Sequence, residues 1–216
     1  MKTIYQILAL IFLISCTNSN PQDLESASNI KSIFNKVEIE DLNKILSYFD
    51  NHVSSLQHCE NIKISECYHN YCSDLEFEVN NGSGSIILRM PYKKQQELYK
   101  TLNESTFNQI WGYYKYWKVD PKDRHKSIRE RRRDTLKGLD ISCHGKYSEY
   151  LKELGLNNIN VKEYYNNLQA AGGISPPMIG DLVFCKYWDL SDINIRLLVA
   201  IHYLTLNDQA ERTEKY

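Results

Sequence analysis

Glycine and proline are scarce in this chain, with nine glycines and five prolines among 216 residues. Sandwiches and barrels of many short strands need such turn residues at short intervals, so their scarcity disfavours an all-β fold. Sixteen tyrosines and an apolar fraction of 42% indicate a packed core and argue against a disordered chain. About 200 residues are enough for one domain. The composition therefore predicts a mainly α-helical fold, with a single helix-rich globular domain.

The sequence also lacks the linear motifs that mark common enzyme and cofactor sites. It contains no phosphate-binding loop, no Gly-x-Ser-x-Gly, no His-Glu-x-x-His and no EF-hand loop. We therefore expect no cofactor and no metal ion, and a non-enzymatic function more than a catalytic one. The formal net charge of −1 and the export signal described next argue against nucleic acid as a partner.

A long apolar run is missing as well. The N-terminal run covers residues 7–14 and is shorter than the ~20 residues that a membrane-spanning helix needs. Lys2 precedes this run and the small residue Ser15 follows it, which is the pattern of a cleaved export signal. An ordinary secretory signal would leave Cys16 without a special role.

The end of this signal points to a more specific fate. Leu13-Ile14-Ser15-Cys16 resembles the lipobox of bacterial lipoproteins. The resemblance implies cleavage before Cys16, a diacylglycerol thioether on its sulfur and an acyl chain on its new amino group. Residue 17 is Thr, whereas Asp retains inner-membrane lipoproteins in many Gram-negative bacteria. In such a host the resemblance implies a lipid-anchored protein of the outer membrane.

The rest of the chain divides into a tether and one domain. Residues 1–15 are the expected signal peptide, and residues 16–30 are polar and aperiodic, which predicts a lipidated flexible tether. Residues 31–216 form the expected globular domain. Removal of residues 1–15 takes away Lys2 and changes the net charge from −1 to −2.

Apolar periodicity predicts the elements of this domain. The strongest helix is expected at 38–56, and the last helix, at 192–206, is apolar all round and should be buried. A small β-hairpin is expected from an alternating strand at 75–79, turn residues at 80–84 and a return strand at 85–90. Further helices are predicted at 92–103, 106–118, 122–137, 147–154 and 161–171.

Five cysteines besides Cys16 are candidates for disulfide bonds, which an exported protein is free to form. They are Cys59, Cys67, Cys72, Cys143 and Cys185. Five thiols allow at most two bridges, and the sequence favours Cys59 paired with Cys67 or Cys72 without choosing between them. The neighbouring His58 and His69 make zinc an alternative, although the tight Cys-x-x-Cys spacing of zinc knuckles is missing.

Two histidines could suggest catalysis but are better explained structurally. Cys143 and His144 are neighbours in sequence, and neighbouring side chains seldom converge as a nucleophile and its base must. His202 lies on the last, apolar helix, where a buried histidine with a hydrogen-bond partner is the simpler interpretation.

An aromatic segment and a basic segment together suggest a binding surface. On a helix at 106–118, Phe107, Ile110, Trp111, Tyr114 and Trp117 would face the core. Tyr116 would point away from it, and Tyr113 would lie at the margin. The predicted helix at 122–137 carries eight Lys and Arg against three acidic residues, with Ile128 and Leu136 as its buried positions. The arginines of the candidate binding surface are Arg124, Arg129, Arg131, Arg132 and Arg133.

These features predict an envelope lipoprotein that is attached to the membrane through Cys16 and binds another macromolecule, with a protein as the expected partner. It would act as an immunity-type inhibitor or as an accessory subunit of an envelope complex. Anionic headgroups and lipopolysaccharide are other possible partners of the basic face, which could also be merely solvated. The alternatives for the whole protein are a cell-wall or glycan-acting hydrolase, with the exposed tyrosines as a sugar platform, and a structural lipoprotein.

Overall fold

The computed structural model describes residues 24–81, 89–119, 122, 133–175, 178, 182 and 185–216. Within these residues the fold is mainly α-helical with one two-stranded antiparallel sheet, which confirms the predicted fold class. The helices are α1 (Ser28–Ile33), α2 (Lys36–Leu56), α3 (Ile64–Asn80), α4 (Tyr92–Thr101), α5 (Glu104–Ile110), α6 (Lys146–Leu154), α7 (Ile159–Ala171) and α8 (Ile193–Glu211). The strands are β1 (Trp111–Val119) and β2 (Arg133–Ile141), and short 3₁₀ helices cover Leu24–Ser26 and Cys185–Tyr187.

The two strongest helices form as their sequences predict. Asn35 begins α2 with a capping box, in which its side chain accepts from the Glu38 amide and Glu38 accepts from the Asn35 amide. The buried stripe of α2 includes Ile39, Leu42, Ile45, Leu46, Phe49 and Val53. Helix α8 is buried on all sides and packs against α2, α4 and β2, which confirms its predicted central position.

The predicted position of the hairpin, at 75–90, is wrong. Residues 75–79 belong to α3, because a second periodicity of 3.6 residues runs through Cys67, Tyr71 and Leu75, all of which are buried. Phe77 is 69% exposed, so the apparent alternation Leu75-Glu-Phe-Glu-Val79 does not mark one buried face. Residues 85–88 of the return strand expected at 85–90 lie outside the described residues.

The hairpin of this fold lies instead where two helices were expected. The helix predicted at 106–118 ends at Ile110, and the chain continues as β1. Of the basic helix predicted at 122–137, residues 133–137 are strand, whereas 123–132 lie outside the described residues. Aromatic residues suit a strand, and Gly112 is a poor helix residue, so pairing with β2 overrides the helical periodicity. We call the pair β1 and β2 the β-arm.

Two disulfide bonds connect elements within the described part of the chain. Cys59 is bonded to Cys67, which confirms that one bridge forms within the first cysteine cluster. Cys72 is bonded to Cys185 and ties α3 to the 3₁₀ helix before α8. Gly172 ends α7 in the left-handed conformation, with φ at 74°, as its position after the predicted helix suggested.

The expected tether at 16–30 includes residues 24–30, which the structure describes. Residues 24–30 are part of the packed domain, because Leu24 and Ile30 are fully buried and α1 contacts α6. Residues 1–23 lie outside the described residues. Among the helices that the structure describes, none is long and apolar enough to cross a membrane.

Candidate functional site

Most of the aromatic side chains of the β-arm are exposed to solvent. Its two strands pair along their whole length, from Trp111 opposite Ile141 to Val119 opposite Arg133. The strand β2 is the inner one, since Leu136, Leu139 and Ile141 are buried and β2 packs against α8. The strand β1 is the outer one, and its residues 112–115 and 117 are exposed.

The root of the β-arm is fixed in the core. The indole N–H of Trp111 donates to Thr205 Oγ1 of α8 at 2.8 Å, and both side chains are buried. Trp111 also packs between Phe107 and Tyr99, with ring centroids at 5.2 and 5.0 Å. The Gln209 side chain donates to the Leu139 carbonyl at 3.0 Å. These contacts hold the first third of the arm in one orientation relative to α8.

The C-terminal segment forms a second support, on the far side of β2. The Lys137 amide donates to the Glu214 carbonyl at 2.9 Å, and the Tyr216 amide donates to the Thr135 carbonyl at 3.2 Å. These bonds form an antiparallel bridge between Leu136 and Lys215. The C-terminal residues therefore cover the edge of β2 that β1 leaves open.

The hydrogen-bond pattern shows which backbone groups of β1 point outward. Because the amides and carbonyls of Thr135 and Lys137 face the C-terminal segment, the alternate residues of β2 bond to β1. Their partners are Gly112, Tyr114 and Tyr116. The backbone groups of Tyr113, Lys115 and Trp117 consequently point away from β2, to the outer edge of the β-arm.

One face of the β-arm combines aromatic rings with cations. It carries Tyr113, Lys115 and Trp117, of which Tyr113 is 43% and Trp117 65% exposed. The Lys137 ammonium lies 4.0 Å from the centre of the Tyr113 ring, and the Lys115 ammonium lies 4.0 Å from that of Tyr216. Such contacts hold both rings and cations in place while leaving part of each accessible.

The opposite face also carries aromatic residues, Tyr114 and Tyr116. Tyr114 lies over Gly138 of β2, where an added Cβ would overlap the tyrosine ring. Gly138 directly follows the helix that was predicted at 122–137, but it lies within a strand, where it leaves room for this ring. The Tyr114 and Tyr116 rings are 5.9 Å apart, and Tyr116 is paired with the buried Leu136. Partial burial is the main cause that raises the pKa of Tyr114, and the nearby Asp140 carboxylate contributes less. The Tyr114 hydroxyl therefore stays protonated at neutral pH.

A buried ion pair anchors the C-terminal segment beside this site. Asp208 Oδ1 accepts from Arg212 Nε at 2.6 Å and Asp208 Oδ2 accepts from Arg212 Nη2 at 2.8 Å. Both side chains are almost fully buried, and Arg212 also donates to Glu214 at 2.6 Å. The Arg212 guanidinium lies 5.1 Å from the Tyr113 ring centre, so the ion pair also supports the exposed face of the β-arm.

The residues of the predicted binding surface differ in their positions in the structure. Tyr113 is exposed and Tyr116 half-buried on β1. Arg133 is the first residue of β2, opposite Val119, whereas Arg124, Arg129, Arg131 and Arg132, like Ile128, lie outside the described residues. Leu136 is buried as predicted.

The prediction that Tyr114 and Trp117 face the core is wrong. Both residues are exposed, because in a strand they lie progressively farther from the root of the β-arm. Together with Lys115, they are the surface residues that the helical interpretation missed. The aromatic richness of residues 111–117 was the available signal for a strand.

The remaining candidate groups are structural. Cys143 is a free thiol that donates to the Leu168 carbonyl at 3.5 Å, and burial, with the nearby Asp140 charge, raises its pKa and keeps it protonated. Over the described ranges, no three His, Cys, Asp or Glu side chains converge as a metal site would require. A shallow hollow of about 360 Å³ lies between α3 and the segment before α8, and its lining includes Glu66, His69 and Trp188.

His202 is a buried core residue, as its position on α8 suggested. Its Nδ1 lies 3.0 Å from the Tyr164 hydroxyl, and its Nε2 is buried without a hydrogen-bond partner in the described part of the chain. Burial lowers its pKa from 6.5 to about 3, so the ring is neutral in the folded protein.

The buried imidazole should make folding stability depend on pH. Between pH 6.5 and about pH 3, His202 is protonated in the unfolded chain but neutral in the folded chain. Each pH unit by which the solution is acidified in this range therefore lowers the free energy of unfolding by ~1.4 kcal/mol. We expect His202→Phe to flatten the pH dependence of the free energy of unfolding between pH 6.5 and 4. Urea titrations at several pH values would measure it, with the exposed His144→Gln as the control. An unchanged slope in His202→Phe would contradict the assignment.

Comparison of the chain with protein-family models, with curated proteins and with solved structures gives no match.

Proposed function

We propose that this protein is a non-enzymatic envelope lipoprotein that binds another protein through the β-arm. The observation that carries the proposal is the exposure of three aromatic residues on β1, Tyr113 and Trp117 on one face and Tyr114 on the other, in a two-stranded arm whose root lies in the core. Tyr113, Tyr114 and Trp117 are each at least 40% exposed and lie within five consecutive residues. Exposed aromatic clusters of this kind are typical of protein interfaces, because each ring buries a large area when a partner covers it.

The rigidity of the β-arm favours binding. The Trp111–Thr205 hydrogen bond fixes its root, and the bridge between Leu136 and Lys215 supports its inner strand. The backbone that carries the aromatic side chains is thus supported before any partner arrives. Ordering this backbone on association costs little conformational entropy, so more of the contact energy is available as affinity.

Loss of the most exposed ring should weaken the complex without unfolding the protein. We expect Trp117→Ala to reduce partner affinity by tenfold or more, which is the usual effect of removing an aromatic residue from the centre of an interface. The melting temperature should change little because Trp117 is 65% exposed. Phe77→Ala is the matched control, since Phe77 is an aromatic residue of 69% exposure on α3, in an element separate from the β-arm.

The measurement is co-purification of the full lipidated protein from detergent-solubilised membranes. A stoichiometric protein that is lost with Trp117→Ala and kept with Phe77→Ala would support the proposal. Equal recovery with both variants would contradict a role for the β-arm. Hydrolysis of cell-wall or glycan material by the purified protein would favour the hydrolase alternative instead.

The membrane anchor is a separate part of the proposal. Several acyl chains of ~14–18 carbons on Cys16, at ~0.8 kcal/mol per buried CH₂, would hold the protein firmly at the membrane. We expect Cys16→Ser to appear in the soluble fraction or to accumulate as an uncleaved precursor. Fractionation and mass measurement of the N-terminal peptide would test this. Normal cleavage and membrane retention of Cys16→Ser would show that residue 16 is not lipidated.

A further inference from the structure

The outer edge of β1 carries backbone hydrogen-bond donors and acceptors that form no backbone hydrogen bond within the described residues. The amides and carbonyls of Tyr113, Lys115 and Trp117 point away from β2, and none of them bonds to another backbone group within the described residues. All three residues are exposed. A strand edge of this kind is a template for a further strand, which proteins normally prevent unless the edge has a partner.

We propose that an extended, acidic segment of a partner protein adds to the outer edge of β1 as a further strand, beside Tyr113, Lys115 and Trp117. The proposal rests on the binding function proposed above and specifies how the β-arm engages its partner. Backbone hydrogen bonds would supply the common part of the affinity, and the side chains of β1 would select the sequence.

The charge of β1 indicates the chemistry of the partner. The strand contains Lys115 and Lys118 and no carboxylate. A strand with a carboxylate opposite Lys115 would gain a favourable cross-strand pair, and a basic strand would be repelled.

The same charge pattern disfavours a second copy of this chain. Two copies of β1 pair all three outward residues only when Lys115 lies opposite Lys115 of the other copy. Like charges directly opposite one another destabilise a sheet, and Lys115 already lies opposite Lys137 of β2, so a further lysine beside them would add to the repulsion. The edge therefore suits an acidic partner better than self-association.

The alternation of β1 defines a probe for this edge. A partner residue opposite Lys115 should be acidic, and those opposite Tyr113 and Trp117 should be apolar and β-branched. The blocked heptapeptide Asp-Val-Thr-Glu-Thr-Val-Asp has this pattern in either direction. Its two controls are Lys-Val-Thr-Lys-Thr-Val-Lys, which reverses the charge, and Asp-Pro-Thr-Glu-Thr-Pro-Asp. The second keeps the charge but, in antiparallel pairing, lacks the amides opposite Tyr113 and Trp117 that would donate to β1.

The experiment is residue-resolved hydrogen exchange on the full lipidated protein in detergent, with and without each peptide at millimolar concentration. At half saturation, the acidic peptide should slow exchange about twofold at the amides of Tyr113, Lys115 and Trp117. The amides of Tyr114 and Tyr116 should not change, because they already face β2. Neither control peptide should have this effect.

A charge reversal in the protein provides the matched test. Lys115→Glu should weaken binding of the acidic peptide about fivefold, because a favourable cross-strand pair becomes a repulsive one. The fold should persist, since residue 115 is exposed and a carboxylate there would face Lys137 on β2. Lys152→Glu on the exposed face of α6 makes the same charge change away from the β-arm and should bind normally.

Several results would overturn strand addition. These are protection of the same amides by the basic or proline peptide, protection that rises with protein concentration alone, and binding to phosphatidylglycerol vesicles in place of the acidic peptide. If a co-purified partner is lost with Trp117→Ala but the outward amides of β1 stay unprotected in that complex, the binding function stands and strand addition is wrong.

Discussion

Replacing Cys72 and Cys185 together with alanine should lower the free energy of unfolding by about 4–5 kcal/mol. The bridge closes a loop with a sequence separation of 113 residues, and the entropy that a disulfide removes from the unfolded chain grows with loop length. Both cysteines are fully buried, so alanine avoids placing a new hydroxyl in the core. Urea unfolding of the oxidised wild type and of the variant would measure the difference.

The second disulfide is the matched control for this prediction. Cys59 and Cys67 are separated by eight residues, and the same reasoning gives a loss of roughly 2.5 kcal/mol for the double alanine variant. The two double variants should therefore differ by about 2 kcal/mol. Equal losses would mean that unfolded-state entropy does not determine how much each bridge stabilises this fold.

Removing the guanidinium of Arg212 should cost about 3–5 kcal/mol, because Asp208 would be left buried and unpaired. Asp208 is fully buried and receives two hydrogen bonds from Arg212, so water cannot replace the lost partner without opening the end of α8. Arg212→Ala should also free the C-terminal segment from β2. Thermal unfolding and hydrogen exchange at the Lys137 amide would report the two effects.

Two controls separate the buried pair from charge in general. Arg89→Ala removes a more exposed ion pair with Glu78 and should cost less than about 1 kcal/mol. The double variant Asp208→Leu with Arg212→Met removes both charges and should recover much of the stability that Arg212→Ala loses. A double variant as unstable as Arg212→Ala would show that the hydrogen bonds of Asp208 to other residues, such as Gln96, matter more than the ion pair.

The β-arm shows how far a local pattern can predict a site. Tyr116 was selected because it falls outside the apolar arc of a helix and Tyr113 because it lies at the margin, but Trp117 falls inside that arc and was assigned to the core. In a strand, Trp117 lies about 20 Å along the chain from Trp111, beyond the core. Its exposure depends on the pairing of β1 with β2, whose residues are more than a dozen positions away in sequence.

The cysteines show the same division. Their number and the export signal predict disulfides, and the short spacing makes a bridge between Cys59 and Cys67 accessible to sequence reasoning. The partner of Cys72 could not be predicted in this way. It lies 113 residues away, and only the packing of α3 beside the 3₁₀ helix at Cys185–Tyr187 brings the two thiols together.

Taken by itself, the sequence determines that the chain is mainly helical, that α2 buries one stripe, that α8 is central and that disulfides form. These properties follow from composition and from apolar spacing within single segments, where each residue contributes independently of distant partners. Only the tertiary structure decided that residues 111–119 are a strand and that its outer edge is open. That choice depends on hydrogen bonds from β2 and from the C-terminal segment, and such long-range pairing leaves no periodic signal in either segment alone.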